Sequence, residues 1–453
     1  MTSEQLSNAL NNLDDCYIEE YSQLKKQNFR FRKILLSAAA VMLALLLGCV
    51  SFLTVHVEAR EVVFDWLRQY SYIWDARYLI KQVENTHPCF VLEQVPLEYT
   101  EAKQNYLSVI RNEDMSDRRF EVETLRYLSS LNDLGTGLQR KYSCQRILDM
   151  ELCREDEQLW LLDSETKQKR GILRTIGGVD IETICTVLSQ MFPMENENSD
   201  ALFAPYLRFD DILSLAGVNT DLETISVVWE DSNQQHQSEI ALVPYEDYKK
   251  TQTKVLPESI SSQKLDTVFY IQTYRLDLDR KLSDVCAELS EEIQQGCRSV
   301  IIDLRGNDGG DSNAYLKLLE AMDMSPAPYS VLSRSYGSKQ CIEAWSDGIA
   351  KVNPEVRLII LSDENTAGSA AMFCVLVRDS HLGEVIGRPS YRSPNFYGYG
   401  PSFTLPNTQI QGQISSKLWI RPDQHAHSEQ LEMDLLVPHG EDIMEIAMKQ
   451  FNS

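Results

Sequence analysis

The pattern of apolar and polar residues changes several times along the chain, and each pattern predicts a different kind of structure. Twenty-two residues from Ile34 to Val55 carry no ionisable side chain. As a helix this segment spans roughly 33 Å, enough to cross the core of a bilayer. Residues 61–140 place apolar side chains at helical spacing, for example at Leu79, Ile80 and Val83, and predict helices.

Beyond residue 141 the pattern becomes that of strands and turns. Alternating runs such as Ile225–Trp229 and Glu239–Val243 predict a small β-rich module. The polar segment 247–264 is typical of a linker, and strands and amphipathic helices then alternate to the end of the chain. The predicted fold class is α/β, with five parts: a cytoplasmic tail (1–33), a transmembrane anchor (34–56), a helical region (61–140), the β-rich module (141–250) and an α/β domain (262–453).

The charges that flank the apolar segment predict its orientation. Lys25, Lys26, Arg30, Arg32 and Lys33 precede it, and cationic flanks stay in the cytoplasm, so the chain from about His56 onward is expected outside a cell membrane that it crosses once. Two alternatives are a cleaved signal peptide and lipoprotein processing at Cys49. Both alternatives export the same domain.

The net charge of −24 excludes a protein that binds nucleic acid phosphates. The eight cysteines beyond the apolar segment are compatible with disulfides, but their spacing matches no zinc pattern. We therefore expect no metal and no cofactor.

Two segments of the α/β domain could form a catalytic site. A buried strand ending at Leu304 runs into a loop that contains Gly309 and Gly310, where backbone N–H groups are free to bind an oxygen. A second strand leads to Thr366 and then to Ser369 at a predicted helix start. These loops could supply an oxyanion hole and a serine nucleophile, although a serine at such a place is often only a helix cap.

The run from Ile301 to Gly310 resembles the DLRxNxGG signature of the C-terminal processing (tail-specific) serine peptidases. The segments 366–372, 387–390 and 405–408 follow in that family's order, and His87-Pro88 and Arg421-Pro422-Asp423 extend the resemblance over most of residues 70–450. It implies a crotonase-like ββα core with a PDZ-like module, and peptide or protein ligands. It also implies that Ser369 is the nucleophile and that its N–H, with that of Gly309 or Gly310, holds the oxyanion.

The general base of that family has no counterpart here. One branch uses a lysine in a G-x-x-T-x-G-K stretch, whose position falls on Ser393 or Pro394. The tricorn-like branch uses a histidine in L-G-D-G-H-T-G-L, where the segment 131–138 has Gly135. Among possible substitutes, His381 lies at the far end of the helix that Ser369 begins, and the positions of three further histidines stay open: His425, His427 and His439.

Three functions follow as hypotheses. The first is a peptidase homologue that binds peptides or protein C-termini, with hydrolysis weak or lost. The second is an active serine endopeptidase that uses Ser369 with a non-standard base, and the third is a carrier of apolar ligands. On the first hypothesis, Gly135→His is expected to restore a base and general-base catalysis.

Overall fold

The computed structural model describes residues 57–451, apart from 140–144, 156–157, 165, 167, 233, 252–257 and 345–347. Its N-terminal part is helical, with α1 (Val57–Thr86), α2 (Tyr99–Asn112) and α3 (Asp117–Ser129). Ser116 caps α3 by accepting the N–H of Arg119. The three helices share a core rich in aromatic rings, in which Tyr106 stacks on Tyr127 at 4.9 Å.

The structure does not support the predicted transmembrane helix or, with it, the single-pass membrane localisation. Within the described ranges, no helix is both long enough and apolar enough to cross a membrane. The 30-residue α1 is long enough, but it carries charged residues such as Asp75, Arg77 and Lys81 and is therefore not apolar enough. The predicted tail (1–33) and the apolar segment 34–56 lie outside the described residues.

The β-rich module is built on one sheet of seven strands, six of them in the order β2-β8-β7-β5-β4-β3, with β6 paired to β5. Buried and exposed residues alternate along β7, so Ile225, Val227 and Trp229 face the module's core. Its elements are β2 (Arg146–Leu148), β3 (Glu151–Glu155), β4 (Gln158–Leu162), β5 (Lys169–Ile176), β6 (Val179–Asp180), α4 (Ile181–Ser189), a 3₁₀ helix (Glu197–Arg208), α5 (Asp210–Leu215), β7 (Thr224–Asp231), β8 (Gln234–Pro244) and α6 (Tyr245–Thr251).

A six-stranded sheet in the order β20-β15-β14-β11-β10-β9 forms the centre of the C-terminal part. Its strands are parallel except for β9. Val300 and Ile302 face the core beneath α7–α9, and Ile301 faces α10. The elements are β9 (Ile260–Leu265), β10 (Val268–Thr273), α7 (Arg280–Gln294), β11 (Ser299–Asp303), α8 (Ser312–Ala321), β14 (Arg357–Ser362), α9 (Gly368–Asp379), β15 (Glu384–Gly387), β20 (Leu435–Leu436) and α10 (Ile443–Phe451).

Part of the predicted linker is a strand of this sheet. Residues 260–265 form β9, which pairs antiparallel with β10 at the end of the sheet. An edge strand has one neighbour and faces water, so polar residues such as Gln263 and Lys264 are compatible with it. Polar composition alone therefore led to the wrong prediction here. The structure shows no disulfide among the cysteines that it describes.

Two small sheets contain the strands that follow Gly135 and Ser393 in the chain. One has the order β13-β12-β19-β16 and the other β1-β18-β17. Their strands are β1 (Gly137–Leu138), β12 (Ser330–Ser333), β13 (Ile342–Ala344), β16 (Phe396–Gly398), β17 (Ser402–Thr404), β18 (Gln411–Gln413) and β19 (Lys417–Ile420). β1 pairs antiparallel with β18, which joins the segment after α3 to the C-terminal part.

Candidate active site

Ser369 lies in the first turn of α9, directly after the loop that follows β14. The loop is fixed by the Thr366 hydroxyl, which donates to the Leu304 carbonyl at 3.0 Å, and by the Ala367 N–H, which donates to the Asn307 carbonyl at 2.7 Å. The Ser369 hydroxyl donates to the carbonyl of Gly310 at 2.9 Å. The structure thus brings the predicted nucleophile to the double-glycine loop.

Gly309 and Gly310 have positive φ angles of 111° and 124°. A Cβ on Gly309 would lie 3.1 Å from the Ser369 nitrogen, and one on Gly310 would lie 2.0 Å from the Leu276 carbonyl oxygen. Neither position accepts a side chain without a shift of backbone. The close approach of this loop to Ser369 therefore depends on both glycines.

Asn307 and Tyr315 determine which N–H groups face the site. The Gly309 N–H donates to Asn307 Oδ1 at 2.8 Å, so it is already satisfied. The Gly309 carbonyl accepts the Leu276 N–H at 3.0 Å and the Tyr315 hydroxyl at 2.8 Å. In a trans peptide the N–H of the next residue points the opposite way, which turns the Gly310 N–H away from these partners.

Within the part of the chain that the structure describes, neither the Gly310 N–H nor the Ser369 N–H forms a hydrogen bond. These two donors, rather than the Gly309 N–H, are the ones available to hold a developing oxyanion. Burial raises the pKa of the Tyr315 phenol well above its usual value, so the phenol stays protonated as a donor.

The segment around Gly135 is held by a buried histidine. His87 Nδ1 accepts the Cys89 N–H at 3.3 Å, so the proton is on Nε2, which lies 3.1 Å from Asp133 Oδ2. Burial acts to raise the pKa of Asp133, but the hydrogen bonds from His87 and Thr136 hold it below its ordinary value. Because both ring nitrogens of His87 are engaged, it is a structural residue and not a base for Ser369.

No space remains at Gly135 for an imidazole. A Cβ there would lie 2.5 Å from Ser415 Oγ, 2.9 Å from the Tyr397 carbonyl oxygen and 3.0 Å from Asp133 Oδ1. The position at which the resemblance to the tricorn-like branch predicts a histidine is occupied by a glycine. Neighbouring residues also leave no room there for a side chain. The expectation that Gly135→His alone restores a base is corrected accordingly, because the new side chain would collide with backbone.

The lysine position of the other branch is likewise occupied by groups that cannot act as a base. The Ser393 hydroxyl donates to the Glu195 carbonyl at 2.8 Å. The neighbouring Arg392 donates to the Tyr397 carbonyl at 3.1 Å and lies 4.7 Å from the centre of the Phe396 ring. An arginine stays protonated and cannot accept the serine proton.

Among the residues that the structure describes, no other histidine forms a hydrogen bond with Ser369. His381, His425 and His427 are exposed, and His381 follows the C-terminus of α9. His439 Nε2 lies 2.9 Å from Glu364 Oε1, and its Nδ1 lies 3.6 Å from Glu155 Oε1. Its ring therefore faces two carboxylates.

No sequence pattern indicates Glu195, which the structure places between the segments that contain Gly135 and Ser393. Its side chain is 4% exposed, and burial raises its pKa to about 7. It stands in a run of Asn and Glu residues that is typical of an exposed loop. No motif or periodicity could have identified it. In the described ranges no cluster of three or more His, Cys, Asp or Glu side chains could hold a metal ion.

Ser369 and the glycine loop beside it both lie in the segment of the chain that resembles a known family. Residues 267–430 match the model of Peptidase family S41. The chain therefore contains a domain similar to Peptidase family S41. No curated protein matches it.

Solved structures agree on the fold. Mature CPAF complexed with lactacystin is 12% identical, with a TM-score of 0.58 and coverage of 85% of this chain and 97% of that chain. Mature CPAF in a second structure is also 12% identical, with a TM-score of 0.57 and coverage of 85% and 95%. The photosystem II D1 C-terminal processing protease is 12% identical, with a TM-score of 0.46 and coverage of 84% of this chain and 96% of that chain.

Proposed function

We propose that the chain is a serine-peptidase homologue that binds peptides or protein C-termini beside Ser369 and hydrolyses them weakly or not at all. The S41 domain supports peptides or proteins as the ligand class. The observation that carries the proposal is the closed space at Gly135, where Ser415 and the Tyr397 carbonyl stand within 2.9 Å of a Cβ. A side chain that could take the proton of Ser369 has no room there.

The chemistry follows from what remains. A ligand carbonyl oxygen would accept the N–H groups of Gly310 and Ser369, as an oxyanion hole requires. The Ser369 hydroxyl, however, donates its proton to the Gly310 carbonyl, which is not a base. A serine without a general base is a weak nucleophile. The chain is therefore expected to bind a peptide but to hydrolyse it slowly or not at all.

Labelling with a fluorophosphonate probe tests the proposal, because such a strong electrophile reports a serine that has an oxyanion hole. We expect slow modification that maps to Ser369 and is lost in Ser369→Ala. Ser290→Ala is the matched control, since that hydroxyl also donates to a backbone carbonyl, of Ala321, at 3.0 Å. Labelling that persists in Ser369→Ala, or none at Ser369 at all, would refute the assignment of the nucleophile.

Binding is measured separately with a fluorescent peptide mixture from digested casein and the Ser369→Ala variant, which cannot turn it over. Saturable binding that is lost in Gly310→Ala supports a groove at this loop. Binding equal in both variants would place the ligand elsewhere.

A further inference from the structure

Glu195 lies in the short loop between α4 and the 3₁₀ helix of the β-rich module. One of its carboxylate oxygens contacts the region after α3, and the other contacts the C-terminal part. Oε1 accepts the Leu134 N–H at 3.0 Å, and Oε2 accepts the Ser393 N–H at 3.3 Å. One buried carboxylate therefore joins the residue before Gly135 to the residue at the lysine position.

Further bonds run along the same line. Asn196 Nδ2 donates to the Ser390 carbonyl at 3.3 Å, and the Ser199 hydroxyl donates to the Tyr391 carbonyl at 2.9 Å. The Ser390 hydroxyl in turn donates to the Thr366 carbonyl at 2.6 Å, three residues before Ser369. The loop of the module is thus connected to the loop that positions the serine.

Three charged or titratable side chains face Glu195. Arg392 Nε lies 3.6 Å from Oε2, and Asp133 and Tyr391 interact with the carboxylate electrostatically. Burial raises the pKa of Glu195 to about 7, and Asp133 adds to this. Arg392 and the two backbone N–H groups act in the opposite direction.

We propose that Glu195 is a positioning residue whose ionised carboxylate clamps the Leu134 and Ser393 segments together and so fixes the groove beside Ser369. This rests on the proposed function only in taking that groove as the ligand site. An ionised carboxylate accepts both N–H groups, whereas the protonated form turns one oxygen into a donor and releases one of the two segments. Groove geometry then depends on the ionisation of this one group.

Hydrogen exchange of the Leu134 and Ser393 amides, in the full chain carrying Ser369→Ala, tests the clamp without any need for activity. After correction for intrinsic exchange, Glu195→Gln is expected to lose roughly tenfold or more protection at one or both amides at pH 8, because a glutamine amide nitrogen cannot accept a hydrogen bond. Glu123→Gln is the matched control, since Glu123 is also buried and paired with an arginine, Arg126, at 2.9 Å. Unchanged protection at both amides in a folded Glu195→Gln protein overturns the proposal.

The second readout is the pH profile of fluorophosphonate labelling in chains that keep Ser369. The parent chain is expected to show an inflection near pH 7 that Glu195→Gln lacks and Glu195→Asp, which keeps the charge, shows in part. A profile that follows Glu195 while both amides stay protected would make Glu195 a direct base and overturn the positioning role. If no variant is labelled at all, the proposed function fails, and the exchange experiment still decides the clamp.

Discussion

The two sides of the candidate site differ in the groups from which they are built. One side contains Ser369 and two glycines with positive φ angles, Gly309 and Gly310. In the described part of the chain, the N–H groups of Gly310 and Ser369 on this side form no hydrogen bond. On the other side, Gly135 and Ser393 occupy the positions where the sequence resemblance predicts a histidine or a lysine as the base. The first side is made mainly of backbone, whereas the second requires one particular side chain.

This difference shows that a loop built from backbone can serve the fold and a site at once. The glycine loop is tied to the core by Asn307 and Tyr315, so its shape is also a requirement of folding. Around Gly135, His87 and Asp133 hold the backbone in place, and Ser415 Oγ fills the space beside Gly135. The glycine loop therefore contributes to the fold whether or not the chain hydrolyses peptides, whereas a base at Gly135 would serve only the reaction.

The largest expected effect is that of Gly310→Ala, which breaks the nucleophile side. The new Cβ would stand 2.0 Å from the Leu276 carbonyl oxygen at a φ of +124°. We expect fluorophosphonate labelling of Ser369 to fall by about 10²-fold or more, as when an oxyanion donor is lost, and the free energy of unfolding to fall by about 1–3 kcal/mol.

Gly306→Ala is the control for the backbone conformation, because Gly306 has a φ of +70° in the same loop but no heavy atom within 4 Å of its Cβ. It is expected to cost only about 1–2 kcal/mol and to leave labelling within a few-fold. Equal effects of the two variants would show that contact with Leu276 does not shape the site.

The next prediction concerns the stability that Glu195 contributes as pH changes. Its pKa is raised from 4.5 to about 7 in the folded chain, so the folded state binds an additional proton between these values. The stability from this group is present below pH 4.5 and is lost as pH rises through 7, by up to about 3 kcal/mol. Because Glu195→Gln lacks this titration, its free energy of unfolding relative to the parent should rise between pH 4.5 and 8.

Urea denaturation of both proteins across that pH range measures this effect, with Glu123→Gln as the control. A difference between parent and Glu195→Gln that stays constant with pH would mean that the pKa of Glu195 is the same in the folded and the unfolded chain.

A smaller effect is expected when the base side is rebuilt. Gly135→His should lower the free energy of unfolding by about 1–3 kcal/mol through overpacking and should add no hydrolysis. Ser415→Ala removes the nearest atom, Oγ at 2.5 Å, so the double variant should recover part of this loss and show a coupling of about 0.5–1.5 kcal/mol. Strict additivity in the denaturation cycle would show that Ser415 does not close the space.

How much the sequence predicted depended on whether local pattern or long-range contact decided the outcome. The strand β11, the glycine loop and the start of α9 at Gly368 followed from apolar runs and a local motif. The closing of the Gly135 space did not, because Ser415 reaches this segment from far along the chain. Its N–H donates to Thr136, 279 residues away. Glu195 was missed for the same reason, since its two partners lie in separate segments.

Hydrolysis of unfolded casein by the parent chain and by Ser369→Ala tests the central claim most directly. With equal protein concentrations and prolonged incubation, new N-termini are counted by mass spectrometry. The account predicts that the parent exceeds Ser369→Ala by little or nothing, because the described acceptor of the Ser369 hydroxyl is the Gly310 carbonyl, which is not a base. Rapid cleavage by the parent that Ser369→Ala abolishes would contradict it and would show that a base acts at this serine.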